Sequence, residues 1–532
     1  MRDKDRSAKA VNAAAERTAG NILLCFFAAF GVCFFTPMDI FFANADDIAF
    51  PFKPLAIVMG IVTLAVFAVL FLMCTLIKGR ANKVFRAILF GAALAFYIQG
   101  NFLAINMGQL DGTKYEMPVW KAALNIVIWL AILAVPFIFL IKFPNIFDKV
   151  VSYVPGAIIV IQIVALVASF YLNVNNFSNE SLEEVFHGDD TRWIHTVKDL
   201  DVYSENHNFI VIVADMYDSF YFDNAVAEEP DTVSEFDGFT YYTNTVGRFT
   251  ITDPSIAYIL SGSEENEYSN RTLFNILAEN YRANYYSDPN IPPSSVLAEY
   301  SDNIVRKKIT LGETYGYAKG IYKISFFRCM PEVLKPLFWS SGNLEKELDS
   351  KTVKRMIIDG YPVYSYFIRE FYDEMPRELQ TVDEKVFKFM YMLGIHYPRT
   401  VTRDLEVVPE SADISPAETA IAVNKILNEY LKMLKDNDMY DNSDIIIMAD
   451  HGISDHNKFP MLMYKPAHQT ETGIKISNAP ISYEEMFPTL VMLAGGEPNG
   501  RTIFDIAEDE ERVRHFETAN EDFTGNIKDV RQ

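Results

Sequence analysis

The run NFIVIVA, residues 208 to 214, decides the fold of the second half of this chain. It is almost continuously apolar and rich in β-branched residues, the pattern of a strand buried on both faces of a parallel sheet. Further strands are predicted at 386–395 and 444–449, with helices near 270–283, 345–374, 416–436 and 482–494. Strands that alternate with helices predict an α/β fold, in which ligands bind at the carboxyl ends of the strands.

Three of these predicted strands end in residues that bind metals or phosphate. Asp215 follows NFIVIVA, and Asp450 with His451 follows DIIIMA in the sequence ADHG. His396 follows the third strand, in HYP. An adjacent carboxylate and imidazole can ligate one divalent ion where the backbone turns at glycine. A single acid at a strand end is often only a helix cap, but three strands that deliver such groups to similar positions indicate a site.

The stretch GRFTITDPSIAYILSG, residues 247 to 262, places a hydroxyl beside this site. Thr252 stands two residues before Pro254, and an apolar segment of helical length follows. Proline favours the first turn of a helix, so Thr252 is predicted at a helix N-terminus, where free amides attract anions. Taken alone, this stretch is more typical of a capped surface helix.

The first 173 residues predict a membrane domain. Five apolar segments, each long enough to cross a bilayer, succeed one another with short polar loops between them. Their approximate bounds are 20–43, 54–77, 84–107, 119–141 and 152–173. Lys and Arg residues precede the first span and lie in the second and fourth loops, whereas the first and third loops are acidic. The positive-inside rule therefore predicts a cytoplasmic N-terminus and an extracellular location for everything after the fifth span.

Charge and cysteine content limit the function of the second half. Basic and acidic residues balance over 1–204, so the net charge of −23 falls on 205–532. So acidic a surface argues against nucleic acid as a partner. Only Cys329 of the four cysteines lies in this half, which excludes an intramolecular disulfide within it. The aromatic and Met residues of 320–340 and 355–372 are interpreted as core or as a membrane-facing patch.

Taken together, these motifs resemble the alkaline phosphatase and sulfatase superfamily. TDPSIAYILSG corresponds to the sulfatase nucleophile motif, with Thr252 in the nucleophile position, and ADHG corresponds to a metal motif. The late stretch ISYEEMFPTLVMLAGGEPNGRTIFD, 481 to 505, is similar to the helix that ends the family's domain. A five-span anchor before such a domain is similar to the lipoteichoic acid synthases and the phosphoethanolamine transferases. The run ISDHNK, 453 to 458, also resembles the lipoteichoic acid synthases.

The resemblance implies five segments. They are a cytoplasmic N-terminus (1–19), a five-helix transmembrane domain (20–173), a linker (174–206), a sulfatase-like catalytic domain (207–505) with a central, mostly parallel sheet flanked by helices, and a charged tail (506–532).

It also implies the site. Asp215, Asp450 and His451 are the expected ligands of one divalent ion, with Mn²⁺ expected and Mg²⁺ or Zn²⁺ as alternatives. Thr252 is the expected nucleophile and a further ligand, and His396 and His456 are expected to bind substrate.

Departures from the sulfatase pattern affect both the reaction and the metal count. Met216 replaces a second family Asp, which favours one ion over two, and Ile256 replaces an Arg. A threonine cannot become the formylglycine that sulfatases need, so phosphoryl transfer is favoured over sulfate ester hydrolysis.

The expected function is transfer of phosphoglycerol from a membrane phospholipid, through a phosphothreonine, to a cell-envelope glycolipid or polymer. The alternatives are a phosphoethanolamine transferase, a membrane-anchored phosphodiesterase or sulfatase-like hydrolase, and a domain that binds without turnover.

Overall fold

The computed structural model describes most of the chain as two compact units. The described residues are 2–44, 50–104, 117–173, 191–264, 272–287, 297–339, 357–358, 360–409, 412, 414–453 and 458–517. The first unit comprises 1–192 together with 308–352, and the second comprises 193–307 together with 353–532.

The first unit contains five helices long and apolar enough to cross a membrane, as predicted. Numbered as spans 1 to 5, they are Ala15–Ala43, Phe52–Leu76, Gly79–Leu103, Val119–Lys142 and Ile146–Leu172. Spans 2 and 4 bury little of their surface inside the structure, as expected of helices whose sides face lipid. The same unit also holds a helix of residues Leu311–Cys329 and a 3₁₀ turn of residues Glu332–Phe338.

The second unit is built on a seven-stranded sheet. In chain order its strands are β1 (Asn208–Ala214), β2 (Thr240–Tyr242), β3 (Tyr281–Tyr286), β4 (Lys385–Met392), β5 (Ser443–Met448), β6 (Leu462–Lys465) and β7 (Lys475–Ser477). Their order across the sheet is β7-β2-β6-β5-β1-β4-β3. The four strands β5, β1, β4 and β3 run parallel, while β6 is antiparallel to both of its neighbours.

Helices pack against this sheet, and the hydrophobic core lies between the helices and the sheet. In chain order they are α1 (Ser219–Glu228), α2 (Thr252–Ser261), α3 (Leu273–Leu277), α4 (Ile368–Glu374), α5 (Pro416–Asp436) and α6 (Met486–Leu493). Every residue of β1 is buried, which explains its continuous apolar sequence. The predicted fold class, a transmembrane helical domain followed by an α/β domain with a mostly parallel sheet, is therefore confirmed.

Two of the predicted helices are wrong over most of their described residues. Within the described part of 270–283, only Leu273–Leu277 is helical, and Tyr281 already belongs to β3. That strand pairs with β4, and the pairing determines its conformation. Within the described part of 345–374, only Ile368–Glu374 is helical, and a small antiparallel pair of strands precedes it.

The domain limits in the structure also differ from the predicted ones. Residues 308–352 group with the spans although they lie inside the predicted catalytic domain. Part of the predicted linker forms strands, namely Thr191–His195 and Val202–Ser204. The described part of the predicted tail, to Glu517, packs on the α/β unit, because Arg514 and Phe516 bury their side chains there. Residues 518–532 lie outside the described part.

Candidate active site

The ends of β1 and β5 bring three predicted ligands together. Asp215 follows β1, and Asp450 and His451 follow the adjacent parallel strand β5. All three side chains are buried, and one ligand atom from each lies within 4.8 Å of the others. The His451 Nε2 atom is 3.7 Å from Asp215 Oδ1 and 3.6 Å from Asp450 Oδ2.

The hydrogen bonds of this cluster leave the three facing atoms available. His451 Nδ1 donates to the Gly452 carbonyl at 2.8 Å, so Nε2 is left with its lone pair. Asp450 Oδ1 accepts from the amides of Met216 and His451 at 3.1 and 2.8 Å, whereas Asp450 Oδ2 has no partner. Asp215 Oδ1 is likewise buried without a partner.

This arrangement fits a divalent cation. Two buried carboxylate oxygens without hydrogen bonds are unfavourable in free energy unless another group satisfies them. The imidazole lone pair faces these oxygens, so the three atoms form a mixed oxygen and nitrogen donor set for a metal ion. Burial, followed by repulsion from Asp450, raises the pKa of Asp215 well above its ordinary value. A cation at this position would neutralise that repulsion.

Thr252 lies at the same place. It is the first residue of α2, and its Oγ1 is 3.4 Å from His451 Nε2. The N-cap residue is Ile251, one residue before Thr252, and its side chain makes no capping hydrogen bond. The N-cap residue therefore does not occupy the first amides of α2, and an anion can bind where the Thr252 hydroxyl is.

The neighbouring strand β4 contributes a residue that the sequence did not reveal. Tyr391 donates its hydroxyl to Asp215 Oδ2 at 2.5 Å, and this bond orients Oδ1 toward His451. The only sequence signal is a hydroxyl within the buried run KVFKFMYM, and such a residue is more often part of the core. Gly394 follows β4 with a positive φ of 55°, and a Cβ there would lie 2.1 Å from the Asp215 carbonyl oxygen.

Asp218 is a second residue that sequence reasoning missed. Its Oδ1 accepts from the Tyr221 amide at 2.8 Å and caps α1, while its Oδ2 accepts from the Ile453 amide at 3.4 Å. It thereby links the chain after β1 to the loop after His451. Burial raises the pKa of Asp218 to about 7.

The two predicted substrate ligands differ in what the structure describes. His396 is half-buried and follows Ile395, whose amide donates to the Asp215 carbonyl at 3.0 Å. Its Nδ1 contacts the carbonyl of Tyr397. His456 lies outside the described residues, so its role stays a prediction.

Comparisons with known proteins give only distant matches. No protein-family model and no curated protein matches this chain. Several solved structures match part of it at low sequence identity. One match is a protein in the alkaline phosphatase superfamily from Vibrio parahaemolyticus, 11% identical, covering 61% of this chain and 76% of that chain with a TM-score of 0.34.

Two further matches carry more specific names. The lipoteichoic acid synthase LtaP from Listeria monocytogenes is 11% identical, and the match covers 63% of this chain and 80% of that chain with a TM-score of 0.33. The C-terminal periplasmic domain of EcEptC from Escherichia coli, in complex with Zn, is 11% identical, with coverage of 58% and 89% and a TM-score of 0.34.

Proposed function

We propose that this protein is a metal-dependent transferase that moves phosphoglycerol from a membrane phospholipid through a phosphothreonine at Thr252. The acceptor is a cell-envelope glycolipid or polymer. The observation that carries the proposal is the position of Thr252, whose Oγ1 lies 3.4 Å from His451 Nε2 at a helix N-terminus without a side-chain cap. A nucleophile, a cation site and an anion site coincide there.

The site residues have separate roles in metal binding, phosphate binding and proton transfer. Asp215, Asp450 and His451, with Thr252, would hold one divalent ion, for which Mn²⁺ is expected and Mg²⁺ or Zn²⁺ are the alternatives. Such an ion, when bound, lowers the pKa of a hydroxyl and offsets negative charge on a phosphoryl group. The first amides of α2 bind the non-bridging oxygens of the substrate phosphate. His396 and His456 bind the phosphate or move protons.

Two displacements at phosphorus complete the reaction. First, Thr252 Oγ1 bonds to phosphorus while the bond to the diacylglycerol oxygen breaks, and that oxygen gains the proton that Thr252 loses. Second, an acceptor hydroxyl loses its proton and bonds to phosphorus, while the bond to Oγ1 breaks and Thr252 is protonated again.

The membrane domain supports a lipid donor. Its five candidate spans support a location in the bilayer, where the donor is found. The distribution of Lys and Arg supports a cytoplasmic N-terminus and an extracellular α/β unit, so the reaction takes place on the outer side of the cell membrane.

Intact-protein mass spectrometry tests this function. Full-length protein in detergent is incubated with Mn²⁺ and either phosphatidylglycerol or phosphatidylethanolamine. We expect a mass gain of one phosphoglycerol group with the first lipid, and no gain in Thr252→Ala. A gain with the second lipid alone would identify a phosphoethanolamine transferase instead.

Ser255→Ala is the matched control. Ser255 lies on the same helix, but its Oγ donates to the Ile251 carbonyl at 2.8 Å. This variant should still be labelled. If metal binds and neither lipid labels the protein, the lipid-donor proposal fails, and a phosphodiesterase or a domain without turnover becomes the better account.

A further inference from the structure

Residues 308–339 leave the α/β fold and join the membrane unit. We call the described helix Leu311–Cys329 the insert helix and the 3₁₀ turn Glu332–Phe338 the insert turn. Both belong to the compact unit that contains the five spans. An α/β sheet with its helices does not require such an insert.

Polar contacts attach this insert to one side of the membrane helices. Arg328 pairs with Asp39 at 2.8 Å and donates to the Gly100 carbonyl at 2.9 Å. The Glu332 amide donates to Asn125 Oδ1 at 3.0 Å. Asp39 and Gly100 lie near the ends of spans 1 and 3, and Asn125 lies near the start of span 4. Consecutive spans cross a bilayer in opposite directions, so all three contacts lie at the membrane face assigned to the outside.

Aromatic packing and a buried ion pair complete the inner face of the insert. The rings of Tyr317 and Phe50 are 4.1 Å apart between centroids, and Tyr322 donates to the Cys33 carbonyl at 2.8 Å. Lys335 is fully buried and pairs with Glu332 at 2.7 Å. The insert is thus anchored to the spans by specific contacts.

The opposite face of the insert turn is apolar and exposed. Val333, Leu334 and Leu337 expose 42%, 40% and 72% of their surface. Span 4, which the turn contacts through Asn125, exposes Val119 and Trp120 by 83% and 65% near its start. Large apolar side chains exposed together mark a surface that binds lipid or protein. Here the turn contacts span 4, whose exposed apolar residues fit hydrocarbon, and this contact favours lipid as the occupant.

We propose that the insert turn is an interfacial membrane anchor, with Val333, Leu334 and Leu337 placed in the outer leaflet at the boundary of head groups and acyl chains. Apolar side chains on one face with charged groups on the other are typical of segments that lie in this boundary. Trp339 follows directly, and tryptophan favours the same depth.

Spin-label accessibility in lipid nanodiscs tests the proposal on the full chain. A label on Leu337→Cys is compared with one on Leu130→Cys, exposed in span 4, and one on Lys432→Cys, exposed on α5. Oxygen concentrates in lipid, and a nickel chelate stays in water. We expect the ratio of oxygen to nickel collisions at 337 to be several-fold above the Lys432 value and below the Leu130 value, because Leu130 lies at the middle of span 4.

The four native cysteines are buried, so protein without an added cysteine should take up no label. A ratio at 337 equal to that at Lys432 would mean that the turn faces water and would overturn the proposal. A label shielded from both reagents would also overturn it, because a second copy or another protein would then cover the face.

Discussion

At the scale of single residues, Tyr391 favours the charged form of Asp215 in the candidate metal site. Its hydroxyl donates to Asp215 Oδ2, and this bond favours the carboxylate form against the burial that raises the Asp215 pKa. We expect Tyr391→Phe to raise that pKa further. Divalent ions compete with protons for the carboxylate, so the variant should bind Mn²⁺ roughly 10- to 100-fold more weakly at neutral pH.

Isothermal titration with Mn²⁺ measures this effect, and Tyr364→Phe is the matched control. Tyr364 is a buried tyrosine beside the same strand, but it donates to the Tyr391 carbonyl at 2.8 Å. It should leave the affinity nearly unchanged. The loss of Mn²⁺ affinity in Tyr391→Phe should become smaller as pH rises, because protons then compete less for the carboxylate. A loss of affinity that does not depend on pH would contradict this account.

Lys388, in the middle of β4, provides a pH dependence with a defined sign. It is fully buried, its Nζ donates to the carbonyls of Asp199 and Leu200 at 2.6 and 2.9 Å, and burial lowers its pKa to about 7 from 10.5. Between these values the unfolded chain binds one more proton than the folded chain. The free energy of unfolding therefore decreases as pH falls from 10.5 to 7, because folding then requires the lysine to lose its proton.

The comparison with Lys388→Met isolates this contribution. We expect the stability of the wild type relative to this variant to rise between pH 7 and 9.5 by about 1.4 kcal/mol per pH unit at most. Unfolding in detergent at several pH values measures it. Lys385, exposed on the same strand, gives the control, since Lys385→Met should show no such slope.

At the scale of elements, the segment from Ile506 to Glu517 supports the loop that leads to Thr252. Arg514 Nη1 donates to the Asn244 carbonyl at 2.7 Å and to the Ile481 carbonyl at 3.2 Å. Three residues on, the Glu517 amide donates to the Arg248 carbonyl at 2.8 Å. These bonds join the last described part of the chain to residues 244–248, just before α2.

Arg514→Ala should therefore destabilise the α/β unit. It leaves buried carbonyls without a donor, for which we expect a loss of about 1 to 3 kcal/mol in the free energy of unfolding. Denaturant unfolding measures the loss, and Arg501→Ala is the control because its ion pair with Glu510 is exposed and should matter little. Equal stabilities of the two variants would mean that the segment does not support the loop.

The contrast between predicted and observed elements has physical causes. β1 and β5 are buried on both faces, so their sequences are continuously apolar, and the ligands at their ends were predictable. The predicted helix 270–283 overlaps only the start of β3, whose sequence YRANYY lacks such a run and whose conformation depends on pairing with β4. The role of Tyr391 depends on the register between β4 and β1, which pairs Tyr391 with Val213 and which no local pattern encodes.

At the scale of the whole molecule, hydropathy was sufficient to find the five spans but not the insert. The insert carries aromatic residues among charged ones, so its composition fits either a core or a membrane surface. Its place became clear only through contacts far apart in sequence, such as the pair of Arg328 with Asp39. Residues that pack against a bilayer interface need not be continuously apolar, which is why hydropathy alone overlooks them.

The insert also changes what a proteolytic cut would do. The polypeptide passes between the two compact units three times, after Arg192, after Lys307 and after Thr352. A protease that cuts once between residues 174 and 190 leaves the α/β unit covalently joined to the insert, which stays with the spans. Release of the α/β unit therefore requires cuts on both sides of the insert as well, and a single nick produces a two-chain protein that stays with the membrane spans.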